Sequence, residues 1–280
     1  MRRAQVPRDW RHAGFGAGLL AAGLVLVALA VVRPSALGRQ IASGVRIPAE
    51  VSLRDLALEP IRQGNPQKSQ VALAINVAWG NEYLPDLLAA LKRHQAVGTF
   101  FLVGDWATRF PDLARRIADG GHEIASHGYT TVDYRGLSAE ALRHQVDDSA
   151  EAIMKATGQR PVLFSPHKGE WTPELLALLE DRKYLPIHWT VDTVDWMNPS
   201  PEEMTARVLN RVGPGSIVLL HPTKSAVQGL DGILTGLENK GLQVVSVSAL
   251  LDPNPLTVGG PSVWDPAAGV QAVWVTPGAD

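Results

Sequence analysis

The sequence predicts an α/β domain whose parallel sheet is drawn into a closed or nearly closed β/α barrel. Three observations carry this. Short apolar segments alternate with helical patterns over about seven β-then-α units between Val71 and Leu251, and such alternation implies a parallel sheet. The first segment, Val71–Val77, is apolar at every position except Asn76, which suits a strand covered on both faces. The turn after it, Ala78-Trp79-Gly80-Asn81-Glu82, is not the glycine-rich phosphate turn that an open doubly wound sheet usually carries at this point.

The elements follow in order. Tyr83–Gln95 has Leu84, Leu87, Leu88 and Leu91 at helical spacing, and Gly98–Gly104 reads as a strand. Trp106–Asp119 is one amphipathic helix ending at Gly120-Gly121, and His122–Ser126 is a short strand. Ser138 caps a long helix running to Thr157 and stopped by Gly158. Val162–Phe164 is a strand, and Thr172-Pro173-Glu174 opens a helix with proline at its first position. Leu185–Val191 is a strand. Ser200 and Glu203 form a capping box for the next helix. Gly215–Leu220 is a strand, Asp231–Lys240 the end of a helix, and Leu242–Val247 the last strand. The barrel is expected to span 71–251. Before it, 33–70 form a stalk and N-terminal extension, in which Ala49–Ile61 makes a short strand or helix and Gln63–Gln70 a turn-rich lead. After it, the Pro/Gly-rich 252–280, with Trp264 and Trp274, form either a loose tail or a β segment.

The N-terminus gives a compartment. Arg2, Arg3, Arg8 and Arg11 precede the uncharged run Ala13–Val32. At ~1.5 Å per residue this run matches the ~30 Å hydrocarbon core. Basic residues ahead of the span place residues 1–12 in the cytoplasm and everything after Arg33 outside. The expectation is a single-pass membrane anchor over 13–32; secretion after signal cleavage near Ala28-Leu29-Ala30 is the alternative. Residues 1–40 hold six of the 26 basic side chains and one of the 28 acidic ones, which leaves a net −7 on the remainder. No basic run survives there, so nucleic acid is not the expected partner. There are no cysteines, so disulfides and thiolate metal sites are excluded.

In a β/α barrel the chemistry sits just beyond the C-terminal ends of the strands. Those positions hold Asn76, Trp79, Asn81 and Glu82; Ser126 to Thr131, including His127 and Tyr129; Ser165, His167, Lys168 and Glu170; Trp189, Asp192, Asp195 and Trp196; and His221. Polar and aromatic groups thus converge on one rim from five separate places, and the convergence is the signal. Aromatic faces suit sugar rings, and Trp79, Trp171, Trp189 and Trp196 lie on or near that rim.

The segments GGHEIASHGY, DTVDW and IVLLH, in this order and spacing, resemble the polysaccharide deacetylase, or NodB-homology, family, closest to its sporulation-type branch, over about Val71–Leu251. The resemblance implies a distorted (β/α)7 barrel that hydrolyses the carbon–nitrogen bond of N-acetyl groups on a glycan such as peptidoglycan. It also implies a divalent metal, often zinc, held by one Asp and two His, with a second Asp as base and a His as acid. Carried over residue by residue, Asn76 stands at the place of the base and Val77 at that of the aspartate ligand. His127 is the family ligand retained, and Thr131 replaces its partner. Ser165 stands where the family has an arginine, with His167 and Lys168 in the turn after it. Asp192, Asp195 and Trp196 match the fourth motif, and His221 is the family's acid.

An amide cannot accept a proton from metal-bound water at neutral pH, and an alkyl group binds no metal. His127 and His167 with Glu82 or Glu170 would be a chemically sensible replacement ligand set. The candidate catalytic residues are therefore His221, Asp192 and Asn76. The candidate metal ligands are His127, His167 and Glu82, and the candidate glycan contacts Trp79, Trp196, Ser165 and Lys168. Three readings are open: a hydrolase with a rearranged site, an inactive protein that binds glycan or a protein partner through the same rim, and a structural envelope scaffold.

Overall fold

The computed structural model describes residues 59–251. The expected anchor 13–32, residues 33–58 of the stalk and the tail 252–280 lie outside the described residues. Among the described residues, no helix is long and apolar enough to cross a membrane.

Among the described residues, eight strands form one sheet: β1 Gln70–Val77, β2 Thr99–Leu102, β3 Glu123–Ser126, β4 Leu163–Phe164, β5 Leu185–Pro186, β6 Val191–Asp192, β7 Ile217–Leu220 and β8 Gln243–Val245. Their order is β5-β4-β3-β2-β1-β7-β6, with β8 also on β1, and every pairing between strands is parallel. β7 pairs with residues 72–75 of β1 and β2 with residues 74–77, so they occupy opposite edges of β1. β8 pairs with residues 70–72 and so takes the lower half of β2's edge.

β1 is the central strand because nearly every position is covered. Its side chains alternate between two cores, as a strand's must. Val71, Leu73, Ile75 and Val77 pack outward with Leu84, Leu87 and Leu91 of helix α1 (Leu84–Arg93) and with Leu230 and Leu234 of helix α8 (Lys224–Asn239). Ala72 and Ala74 face inside the curl with Phe101, Ala125, Leu163 and Ile217. That inner cluster is completed by Val247, Leu250 and Leu251 of a short helix, α9 (Val247–Leu251), at the strands' N-terminal end. Asn76 is next in the inward-facing series, at the open end.

Around the sheet run α2 (Gly104–Arg109), α3 (Pro111–Asp119), α4 (Ala139–Arg143), α5 (Ser149–Thr157), α6 (Pro173–Asp181), α7 (Pro201–Leu209) and α8 (Lys224–Asn239). Three expected caps form: Ser138 accepts from the Ala141 N–H, Thr172 from the Leu175 N–H, and Ser200 with Glu203 makes the reciprocal box. The expected single helix over 106–119 is two helices. Phe110 sits at φ −129°, ψ 55°, because the ring of Pro111 disfavours helical geometry in the residue before it. The helix expected from Ser138 to Thr157 carries a π-helical turn at His144–Asp148.

The larger correction concerns Leu185–Val191. It is two strands on opposite edges of the sheet, since β5 pairs with β4 and β6 with β7. The sheet is curled, with a slot between its edge strands. Residues 61–64 seal that slot: the Ile61 N–H donates to the Pro186 carbonyl, the His188 N–H to that of Ile61, and the Gly64 N–H to that of Gly215. Ile61 and Gln63 therefore form isolated bridges to Ile187 and Ser216. The end of the expected N-terminal extension is part of the wall.

Candidate functional site

The strand ends enclose a cavity of about 440 Å³ lined by Asn76, Ala78, Trp79, His127, His167, Lys168, Trp189, Asp192, Trp196, Leu219 and His221. All five rim places identified from sequence contribute.

His221 is the most fixed of these groups. Its ring Nδ1–H donates to Oδ1 of Asp195 at 2.8 Å, and its backbone N–H donates to Oδ2 of the same carboxylate at 2.5 Å. Asp195 is fully buried. One carboxylate thus fixes both the position and the tautomer of the imidazole, leaving Nε2 as its free nitrogen. Asp195 is aimed by a tight turn: Val194 has φ 58°, ψ 28° and Asn198 has φ 57°, ψ 47°. A β-branched residue in the left-handed region is a strained conformation. The Asp192 side chain supports it by accepting from the Val194 N–H at 2.8 Å. The expected catalytic carboxylate Asp192 therefore lines the cavity while holding the turn, and Asp195 is the one on His221.

Trp79 lies flat on His221, with ring centroids 5.7 Å apart and planes 9° apart. Gly80 makes this possible. It has φ 79°, and a β-carbon there would come 2.0 Å from the Pro222 carbonyl oxygen, so only glycine lets the β1 loop press against the residue after His221. Asn81 serves the core instead, accepting from the indole N–H of Trp106 at 2.6 Å.

His127 is buried, and its Nδ1–H donates to the Ser165 carbonyl at 2.7 Å. A carbonyl only accepts, so Nε2 carries the lone pair. Burial pushes the His127 imidazole down to about 3; nearby His167 and His221 act the same way, and the bond to Ser165 opposes them. His127 is neutral at physiological pH. His167 meets it edge-on at 6.0 Å between centroids, and is itself lowered by burial and by Lys168. The loop after His127 is held by Gln145, whose Oε1 accepts from the Tyr129 and Thr130 N–H groups at 3.0 Å each. Gln145 stands in the π-helical turn, and nothing in its own sequence neighbourhood marks that role.

Several expected site residues are elsewhere. Glu82 is exposed and off the cavity wall. Glu170 turns to Arg135, 3.1 Å from its guanidinium. Ser165 gives its backbone carbonyl to His127 and does not line the cavity. Thr131 is exposed and also off the cavity wall. Trp171 donates its indole N–H to Nδ1 of His188 at 3.3 Å. Trp189, stacked on His188 at 4.0 Å, belongs to the wall.

The residues present do not fit the metal that the resemblance implies. Val77, at the place of the aspartate ligand, is fully buried in the outer core. Among the described residues, no three His, Cys, Asp or Glu side chains are placed to hold a metal ion, whereas catalytic zinc sites use three protein ligands. The replacement set His127, His167 and Glu82 does not assemble.

The polysaccharide deacetylase family profile matches residues 63–187. The chain is 32% identical to the peptidoglycan-N-acetylglucosamine deacetylase of Bacillus cereus, over 67% of this chain and 70% of that protein. It belongs to the polysaccharide deacetylase family. Among solved structures of that family, the chain is similar to a CE4-family pseudoenzyme from Bacillus anthracis, with a TM-score of 0.69 and 40% identity over 73% of each chain. A mutant of that pseudoenzyme with restored enzymatic activity matches equally well, with a TM-score of 0.69 and 39% identity over 73% of this chain and 75% of the other. The curled parallel β/α sheet of this chain is consistent with that family.

Proposed function

We propose that this polysaccharide deacetylase-family protein binds N-acetylated glycan, such as peptidoglycan, without hydrolysing it. The observation that carries the reading is the selective loss at one end of β1. Asn76 faces the cavity in place of the base, and Val77 is packed into the core in place of a ligand. Thr131 and Ser165 likewise stand in place of a His ligand and an arginine, while the Asp195–His221 pair remains, with Trp79, Trp189 and Trp196 as aromatic walls. General-base loss alone costs about 10²–10⁴-fold in rate, and loss of a metal removes the activated water itself. The similarity to a CE4-family pseudoenzyme supports the same reading.

The sealed, curled sheet supports the distorted (β/α)7 form of the fold. The arginine-flanked apolar run 13–32 supports a membrane anchor with the barrel outside the cytoplasm. The segments GGHEIASHGY, DTVDW and IVLLH support the sporulation-type branch.

The test is the full-length chain in detergent with chitotetraose and with purified peptidoglycan, with and without added zinc. Saturable binding, weakened about tenfold or more by Trp196→Ala as expected for one lost aromatic stacking contact, and no acetate release are expected. Zinc-dependent acetate release would overturn the inactive reading. Absence of binding would overturn the glycan reading in favour of a structural scaffold.

A further inference from the structure

Resting on the glycan-binding reading, we propose that the pocket selects N-acetylated sugars that carry an anionic substituent, a carboxylate or a phosphate, and that Lys168 is the residue that makes the selection.

The argument starts from charge. In the family pattern two carboxylates stand at the end of β1, where this chain has Asn76 and Val77. On the cavity wall Lys168 carries the ammonium and Asp192 the facing carboxylate, beside the imidazoles of His127, His167 and His221. Asp192 is engaged with the Val194 N–H, and Asp195 is buried beneath His221. The chain beyond residue 40 carries a net −7, so the cation of Lys168 stands on an acidic protein.

Lys168 is placed by its backbone. It sits at φ 58°, ψ 7° in the 3₁₀ turn His167–Gly169 after β4. Gly169 follows at φ 65°, and a β-carbon there would lie 2.6 Å from His188 and 2.8 Å from Trp189. Two successive left-handed residues clamp the turn against the His188–Trp189 stack, and such conformations persist only where the surroundings over-determine them. The nearest acid in sequence, Glu170, is drawn off to Arg135. Among the described residues, Lys168 forms no ion pair. A cation held on a cavity wall with its neighbouring carboxylate engaged elsewhere recognises an anion. The neutral polar floor, Asn76 and the Nε2 lone pair of His127, suits an uncharged acetamido group instead.

The experiment compares affinities of the full-length chain, by calorimetry at low ionic strength, for N,N′-diacetylchitobiose, for the GlcNAc–MurNAc disaccharide with its lactyl carboxylate, and for N-acetylglucosamine 6-phosphate against N-acetylglucosamine. An anionic sugar is expected to bind about fivefold more tightly than its neutral counterpart, the contribution of roughly one exposed charge pair. Which anionic arm shows the preference identifies the source. The preference is expected to vanish at high ionic strength and in Lys168→Asn, a residue that tolerates the left-handed backbone, and to persist in Lys168→Arg. Binding of both sugars with equal affinity, or a preference unchanged in Lys168→Asn, overturns this proposal and leaves the glycan reading standing. Binding of neither overturns both.

Discussion

At the scale of single residues, burial and one hydrogen-bond partner decide what each imidazole does. His221 and His127 both line the cavity, yet one is anchored on a carboxylate and the other on a carbonyl. His188 shows the same logic outside the pocket. Its Nδ1 accepts the Trp171 indole N–H, which only donates, so the ring must be unprotonated there. Burial, with Arg62 adding, pushes its pKa from 6.5 down to about 4. The unfolded chain therefore takes up this proton first as pH falls. The stabilising contribution is complete above pH 6.5, is lost as pH falls from there towards 4, and has a slope of at most about 1.4 kcal/mol per pH unit. Chemical denaturation from pH 7 to 4 is expected to show a shallower acid slope in His188→Gln, which accepts from Trp171 but does not titrate; an unchanged slope would refute this assignment. The type of each site residue was legible in sequence, but its partner was not. Asp192 and Asp195 lie three residues apart in one motif, and only the turn through left-handed Val194 shows which carboxylate reaches His221.

At the scale of elements, the loop after β1 couples the strand to the pocket. Gly80 allows this loop to touch Pro222 and lays Trp79 on His221. Gly80→Ala is expected to destabilise the protein by about 1–3 kcal/mol through the left-handed backbone alone, with a further loss from the contact with Pro222. Urea unfolding measures this, and a change under 0.5 kcal/mol, within the ordinary range of surface substitutions, would contradict the close approach. Elements with strong local chemistry were readable: the capping box at Ser200 and Glu203, the stop at Gly158, the covered strand β1. Those overridden by neighbours were not. The run Leu185–Val191 has a strand's composition throughout, yet its two ends pair with different edges of the sheet. The π-helical turn that carries Gln145 likewise leaves no mark on helical periodicity.

At the scale of the whole molecule, the fold encloses a pocket, and among the described residues no three His, Cys, Asp or Glu side chains are placed to hold a metal ion. Three ligand positions are needed for a catalytic zinc, and this chain offers His127 with Val77 buried and Thr131 on the surface. Asn76→Asp alone is therefore expected to bind no stoichiometric zinc. Asn76→Asp, Val77→Asp and Thr131→His together are expected to gain it, with a lower unfolding midpoint because residue 77 leaves an apolar core worth about 1.5–3 kcal/mol for a valine-sized side chain. Metal analysis after dialysis reads the outcome, and one zinc per chain in the single mutant would contradict the requirement for three ligands. The restored activity in a mutant of the related pseudoenzyme shows that one such fold can be returned to chemistry. The sequence by itself determined the β/α alternation, the rim on which polar and aromatic residues gather and the uncharged Asn76 and Val77 at the end of β1, because periodicity and residue type are local properties of the chain. The tertiary structure alone decided that the sheet's open slot is sealed by residues 61–64, that Asp195 and not Asp192 holds His221, and that Glu82 and Glu170 stay away from the cavity. Those outcomes depend on which distant segments share an edge, a turn or an ion pair, and that is fixed only when the sheet curls.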